Sequence, residues 1–224
     1  IVGFRADAWA DQLNLTATCV ADADTLDLEQ NSFDLIIHAM GLHWANDPIG
    51  QLVQMRRALK PDGLMIAAFF GGQTLSELRI AFAQAETEIM GGLSPRIAPM
   101  GEIRDLGGLL QRAGLALPVA DHQSLNVTYE SPVKLMHDLR AMGETNIMTA
   151  RHRVPMSRAL LNAVQAQYQN HFNEGARIRA TFDLIFLTGW APSVDQQQPL
   201  KPGSAQTRLA DALGTLEKDP EINP

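Results

Sequence analysis

Short apolar runs alternate along this chain with apolar stripes at helical spacing. Phe33–His38 is one such run. After a loop, Ile49, Leu52, Val53 and Leu59 recur on one helical face, and a second apolar run, Leu64–Phe70, follows. The pattern predicts a β-α-β unit with strand 33–38, helix 48–59 and strand 64–70, the two strands parallel and adjacent. Leu35-Ile36-Ile37 is apolar on both faces, as in a parallel strand covered by helices on either side. Asp47 is placed to cap the helix, and Pro48 suits its first turn, where an amide hydrogen would have no partner anyway. In Leu59-Lys60-Pro61-Asp62-Gly63 the proline cannot continue the helix. Gly63 can take a positive φ for the return to the sheet.

The same patterning predicts strand 1–4, helix 6–13 and strand 17–21 upstream, with 1–4 pairing in parallel with 18–21. Downstream, Thr74–Met90 reads as a long helix whose apolar face is Leu75, Leu78, Phe82, Ala85 and Ile89, stopped by Gly91-Gly92. A loop at 95–100, helix Ile103–Ala113, strand Val119–Tyr129, helix Pro132–Met142 and a loop holding Gly143–Asn146 follow. Helix Ser157–Phe172 and a closing antiparallel strand, Arg179–Trp190, complete the α/β pattern. From Pro192 the composition turns polar and proline-bearing. Residues 1–191 are therefore expected to form one domain. Residues 192–224 are expected to be a linker, a short helix from Ser204 to Leu213 and a disordered tail.

Composition narrows the class. The 224 residues suffice for a sizeable core, and 46% hydrophobic with 19% charged residues is ordinary for a globular protein. A net charge of −7 argues against nonspecific binding to nucleic-acid backbones. Cys19 is the single cysteine, so neither a disulfide framework nor a thiolate metal cluster is expected, and a cytoplasmic setting is the default. No apolar run reaches the length of a membrane span.

Open α/β sheets bind ligands at the carboxyl ends of their strands, which directs attention to the loop at 39–47. His38 ends the predicted strand, with His43 and Trp44 just beyond. His43 could serve as a general base near neutral pH. Alternatively, the loop is simply packed, with Trp44 as a lid on the core. His38 and His43 with Asp22 also suggest a two-histidine, one-carboxylate iron site, although the strand-to-loop spacing fixes no ligand geometry. Asp24 is expected to be solvated.

Asp22-Ala23 after a strand, then Phe33-Asp34-Leu35-Ile36, then Leu59-Lys60-Pro61-Asp62-Gly63, resembles the class I S-adenosylmethionine-dependent methyltransferases. A narrower resemblance rests on Leu42-His43-Trp44, Gly71–Leu75, Gly92–Arg96, Asp138–Asn146 and Leu187–Trp190. It is to the bacterial relatives of mitochondrial complex I assembly factor 5, beside the biotin-pathway malonyl-carrier-protein methyltransferases. The resemblance implies a three-layer, Rossmann-like sandwich, mostly parallel, with an antiparallel C-terminal strand. It implies S-adenosylmethionine as cofactor, with the Asp22 carboxylate accepting from the adenine amino group and the Ala23 amide donating to a ring nitrogen. His38, Ala39, Met40 and Trp44 would border the methionine end, and His43 would be catalytic. Arg140, Glu144 and Asn146 would form a substrate rim.

The implied partners are the small-molecule cofactor and a protein substrate, with no resident metal. The methyl acceptor stays open, and the narrower resemblance brings an alternative, arginine hydroxylation during respiratory complex I assembly. Two departures stand out. No glycine-rich cofactor turn is present, from which the natural chain is expected to begin upstream of Ile1. Gly3-Phe4-Arg5 stands where the family places a ribose-binding acid, and arginine cannot accept hydrogen bonds. Weak cofactor affinity is the expectation.

Overall fold

The structure, a computed structural model, describes residues 24–197 together with 204, 213 and 214. The strands expected at 1–4 and 17–21, the helix at 6–13, most of the helix from Ser204, and Asp22, Ala23 and Arg5 lie outside the described residues. The chain divides into two units, Ile1–Pro192 and Ser193–Pro224.

The predicted β-α-β unit is present as β1 (Phe33–Ala39), α1 (Pro48–Ala58) and β2 (Leu59–Gly71). β1 and β2 are adjacent and parallel, with Ile36 opposite Met65 and His38 opposite Ala67. Asp47 caps α1 as expected: its carboxylate accepts from the Gly50 amide at 2.8 Å. After β2 come α2 (Ser76–Met90), α3 (Ile103–Arg112), β3 (Ala116–Tyr129) and α4 (Pro132–Ala141). Then follow α5 (Arg158–His171), a two-residue β4 (Asn173–Glu174) and β5 (Arg177–Trp190). The sheet order is β1-β2-β5-β3, with β4 folded onto β5. β5 is antiparallel to both of its long neighbours, so β1, β2 and β3 run one way and the C-terminal strand runs against them.

Two apolar layers sandwich this sheet. Leu52 and Met55 of α1 and Leu110 of α3 pack on Met65, Ala67 and Phe69 of β2 and Ile185 and Leu187 of β5. On the other side, α2, α4 and α5 bury Leu78, Phe82, Leu135, Leu160 and Tyr168 against Phe70, Ile178, Ala180 and Phe182. The alternation of inward residues along β5 supplies both layers.

Several local expectations are corrected. Among the described residues no helix covers the second face of β1: Leu35 is 48% and Ile37 67% exposed, and the second helical layer sits over β5 and the far end of β2. Strand pairing starts at Leu59, so the Lys60–Gly63 step belongs to β2. The positive φ there falls on Asp62 at 63°, not on Gly63. Gly63 is required instead by close approach, since an added Cβ would stand 2.9 Å from the Lys60 carbonyl oxygen and 3.1 Å from that of Phe33. α2 starts after Thr74, whose hydroxyl donates to the Gly71 carbonyl at 2.7 Å and accepts from the Asp183 amide at 2.9 Å. Ile89 drops out of the α2 apolar face and is 46% exposed.

Candidate functional site

β1 ends at Ala39. The backbone turns at Met40, with φ 52°, and the Met40 amide donates to the Ala68 carbonyl at 2.7 Å as the last rung to β2. Gly41 then lies against the His38 ring, where an added Cβ would come within 2.9 Å of Cε1. A 3-10 turn, Leu42–Trp44, follows, anchored by Leu42 in the α1 and α3 layer. His43 packs edge-on against Phe70 and Trp44, with ring centroids 5.5 Å and 5.8 Å away.

From the other side of the sequence, Gly143, at φ 87°, turns the chain after α4 and presents Glu144. The Glu144 amide donates back to the Leu139 carbonyl at 2.8 Å. Its carboxylate oxygens lie 3.1 Å and 3.2 Å from His43 Nε2, and the Trp44 indole N–H donates to Oε1 at 3.4 Å. The side chains are largely withdrawn from water, at 8% exposure for His43 and 17% for Glu144. The other ring nitrogen, His43 Nδ1, is buried and has no hydrogen-bond partner among the described residues; the same holds for His38 Nδ1. Burial holds the His38 imidazole below its ordinary pKa. It outweighs the raising influence of the acceptors on its own backbone and on the Gln51 side chain, and a charge on neighbouring His43 acts in the same direction as burial.

Asp24 is not merely solvated. Its carboxylate accepts from the Asn46 amide at 3.1 Å and the Asn46 side chain at 2.7 Å, pinning the far end of the loop. The Asn46 side-chain bond is the main reason this carboxyl sits below the usual range. Gln54 of α1 completes the clamp, accepting from the Leu26 amide at 2.8 Å and donating to the Asp24 carbonyl at 2.8 Å. The sequence offered no sign of either residue, because both act through loop geometry.

The rim residues separate. Glu144 meets His43 and Trp44. Asn146 spends its side chain between loops, donating to the Pro95 carbonyl at 2.7 Å and accepting from the Met148 amide at 3.1 Å. Arg140 is exposed on the last turn of α4 and makes no side-chain hydrogen bond among the described residues. The 92–100 loop is fastened by Glu86, which accepts from Arg96 Nε at 2.7 Å and from the Ser94 amide at 2.8 Å.

Among the described residues, no group of three His, Cys, Asp or Glu side chains is arranged to hold a metal ion. The third member of the expected iron site, Asp22, lies outside the described residues; of its two histidines, His43 has Nε2 engaged by Glu144. No described helix is long and apolar enough to cross a membrane. Aromatic Trp44, half-exposed Met40 and the His43 imidazole all lie in the loop that leaves the carboxyl end of β1, the end at which open α/β sheets bind ligands, and their chemistry is compatible with the methionine end of S-adenosylmethionine.

Residues 4–67 match the Methyltransf_11 family, described as a methyltransferase domain. The chain is 37% identical over 209 residues to the mitochondrial arginine-hydroxylase NDUFAF5 of Danio rerio, covering 92% of this chain and 65% of that protein. It is 34% identical to a malonyl-[acyl-carrier protein] O-methyltransferase of Methylovorus, covering 92% and 64%. It therefore spans a little under two thirds of these relatives. A candidate methyltransferase of Rickettsia prowazekii is 33% identical over 155 residues, with 68% of this chain and 67% of that protein covered. In fold, the chain superposes on a candidate methyltransferase of Bacillus halodurans with a TM-score of 0.51 at 13% identity, covering 84% and 78%. With the sheet order, the loop after β1 and these relatives in agreement, the chain belongs to the class I S-adenosylmethionine-dependent methyltransferase family.

Proposed function

We propose that this protein binds S-adenosylmethionine at the carboxyl end of β1 and transfers its methyl group, with His43 as the catalytic proton acceptor. The observation that carries this reading is the ring of His43, held by Glu144 at one nitrogen and left without a partner at the other. Asp22 and Ala23 would hold the adenine, while His38, Ala39, Met40 and Trp44 would border the methionine end. The cofactor supplies an activated methyl group. The chain's own task is then positioning, since alignment of a bound nucleophile accounts for much of the rate in such reactions. Trp44 and Phe70 fix the His43 ring against rotation, and the aromatic walls keep water from the reacting centre. Arg140 and the 92–100 loop would guide a protein substrate. With Arg5 where a ribose acceptor is expected, affinity for the cofactor should be weak. A cytoplasmic setting fits the single cysteine, and nucleic acid is not an expected partner of so acidic a chain.

A second reading is favoured by the Danio rerio relative, a mitochondrial arginine-hydroxylase: hydroxylation of an arginine on a protein substrate. Calorimetric titration of S-adenosylmethionine into the full chain and its Asp22→Ala variant separates the two. Saturable binding weakened roughly tenfold or more, about 1.5–3 kcal/mol, supports the first reading. No saturable heat, or equal affinity for both proteins, overturns it.

A further inference from the structure

We infer that Glu144 is a positioning residue that fixes the tautomer of His43, and that the site is therefore built for a methyl acceptor that must lose a proton. This rests on the methyltransferase reading above. An ionised carboxylate can only accept hydrogen bonds. With both Glu144 oxygens within 3.2 Å of His43 Nε2, and one also receiving the Trp44 N–H, that nitrogen must carry the hydrogen. The lone pair is thereby placed on Nδ1, the buried nitrogen without a partner among the described residues. An unmet buried polar atom costs stability, so its retention on a ring already oriented by a carboxylate points to a use for its lone pair.

The chemistry follows from that placement. A nucleophile X–H attacks the activated methyl carbon, the carbon–sulfur bond breaks with its electron pair going to sulfur, and the proton of X–H passes to Nδ1. The resulting imidazolium lies against the Glu144 carboxylate, which stabilises the new charge. An alcohol, an amine or a guanidinium needs such a base. A carboxylate acceptor is already deprotonated and does not.

Two measurements on the full chain test this. The first is the ring nitrogen-15 spectrum of His43 above its titration range, in the wild type and in Glu144→Gln. The expected wild-type result is a protonated Nε2 and a bare, pyridine-like Nδ1, with that preference lost in Glu144→Gln, whose amide can both donate and accept. A wild-type hydrogen on Nδ1, or a spectrum unchanged by Glu144→Gln, overturns the positioning role. This arm needs no cofactor, so it stands even where the cofactor reading fails.

The second measurement follows label from methyl-labelled S-adenosylmethionine into cell extract proteins and metabolites, then exposes the products to alkali. Alkali-stable ether or N-methyl products are expected. Label released as methanol would identify methyl esters and overturn the acceptor class. No transfer at all would count against the methyltransferase reading itself, leaving the tautomer result to judge Glu144.

Discussion

Two well-bonded carboxylates, at opposite ends of the structural logic, show what distinguishes scaffold from site. Glu77, on α2, is 2% exposed and fully satisfied. It accepts from the Thr181 hydroxyl at 2.6 Å, the Thr181 amide at 3.1 Å and Arg179 Nε at 3.3 Å. These bonds stitch a helix to the antiparallel strand and leave no strong donor facing a cavity. Glu144 is as well bonded, but to an imidazole whose second nitrogen is unmet. Burial of charge is costly unless it is paired, and both regions meet that requirement. Both regions hold buried polar atoms without a partner among the described residues, Arg79 Nε on α2 and Asp183 Oδ1 on β5 in one, His43 Nδ1 in the other. Only the second is the nitrogen of an imidazole whose other side is held by a carboxylate just beyond a strand's carboxyl end. A proton-accepting group positioned in this way is a better mark of chemistry than a buried charge.

The contrast can be broken at its structural pole first. Glu77→Ala removes three hydrogen bonds from the α2–β5 junction and should cost about 3 kcal/mol, since bonds to charged groups are each worth about 1.5–3 kcal/mol and Arg179 remains partly solvated. In a chain of this size that is a fall in Tm of about 6–12 °C, read by thermal denaturation. A loss below about 1 kcal/mol would show the junction to be held by packing alone. Glu86→Gln should cost less, about 1–2 kcal/mol, and act locally. Hydrogen exchange should rise in residues 92–100 and stay unchanged in β1; uniform acceleration would mean the loop is not a separate unit.

At the functional pole the sign changes. His43→Gln should alter stability by less than about 1 kcal/mol, because the Glu144 carboxylate keeps a donor. Methyl transfer should fall by about a hundredfold or more, as expected when a general base is lost. A large stability loss with retained transfer would return His43 to the scaffold.

The smallest effect is a pH dependence. Burial depresses the His38 pKa, so the folded chain resists a proton that the unfolded chain accepts. Full stability is present above the ordinary value of 6.5 and is lost as the pH falls below it, through the folded-state pKa. Replacing His38 with Asn should flatten that part of the Tm–pH curve. An unchanged slope would place the titrating group elsewhere.

Much of this was written into the chain. The β-α-β unit was legible because Phe33–His38 and Leu64–Phe70 bracket a helical stripe with a capping Asp47. The antiparallel last strand was legible from its alternation. Gly63 was misread because spacing cannot tell a positive φ from a close approach. The exposure of Leu35 and Ile37 was missed because an apolar residue does not announce which described helix covers it. Of the site, His43 and Trp44 were found from their place after a strand. Their bond to Glu144 spans 101 residues and could not be found by local pattern. Asp24 and Gln54 left no signal at all, since each works by holding a loop rather than by its chemistry.

Amide chemical-shift mapping with S-adenosylhomocysteine on the full chain tests the central claim most directly. A cofactor site at the end of β1 predicts saturable shifts concentrated at Ala39, Met40, Gly41, His43 and Trp44, with the Glu77–Thr181 junction unmoved. Shifts gathered instead around the roughly 280 Å³ cavity lined by Asn31, Arg56 and Arg57 at the opposite ends of β1 and β2, or no saturable shifts, would contradict it.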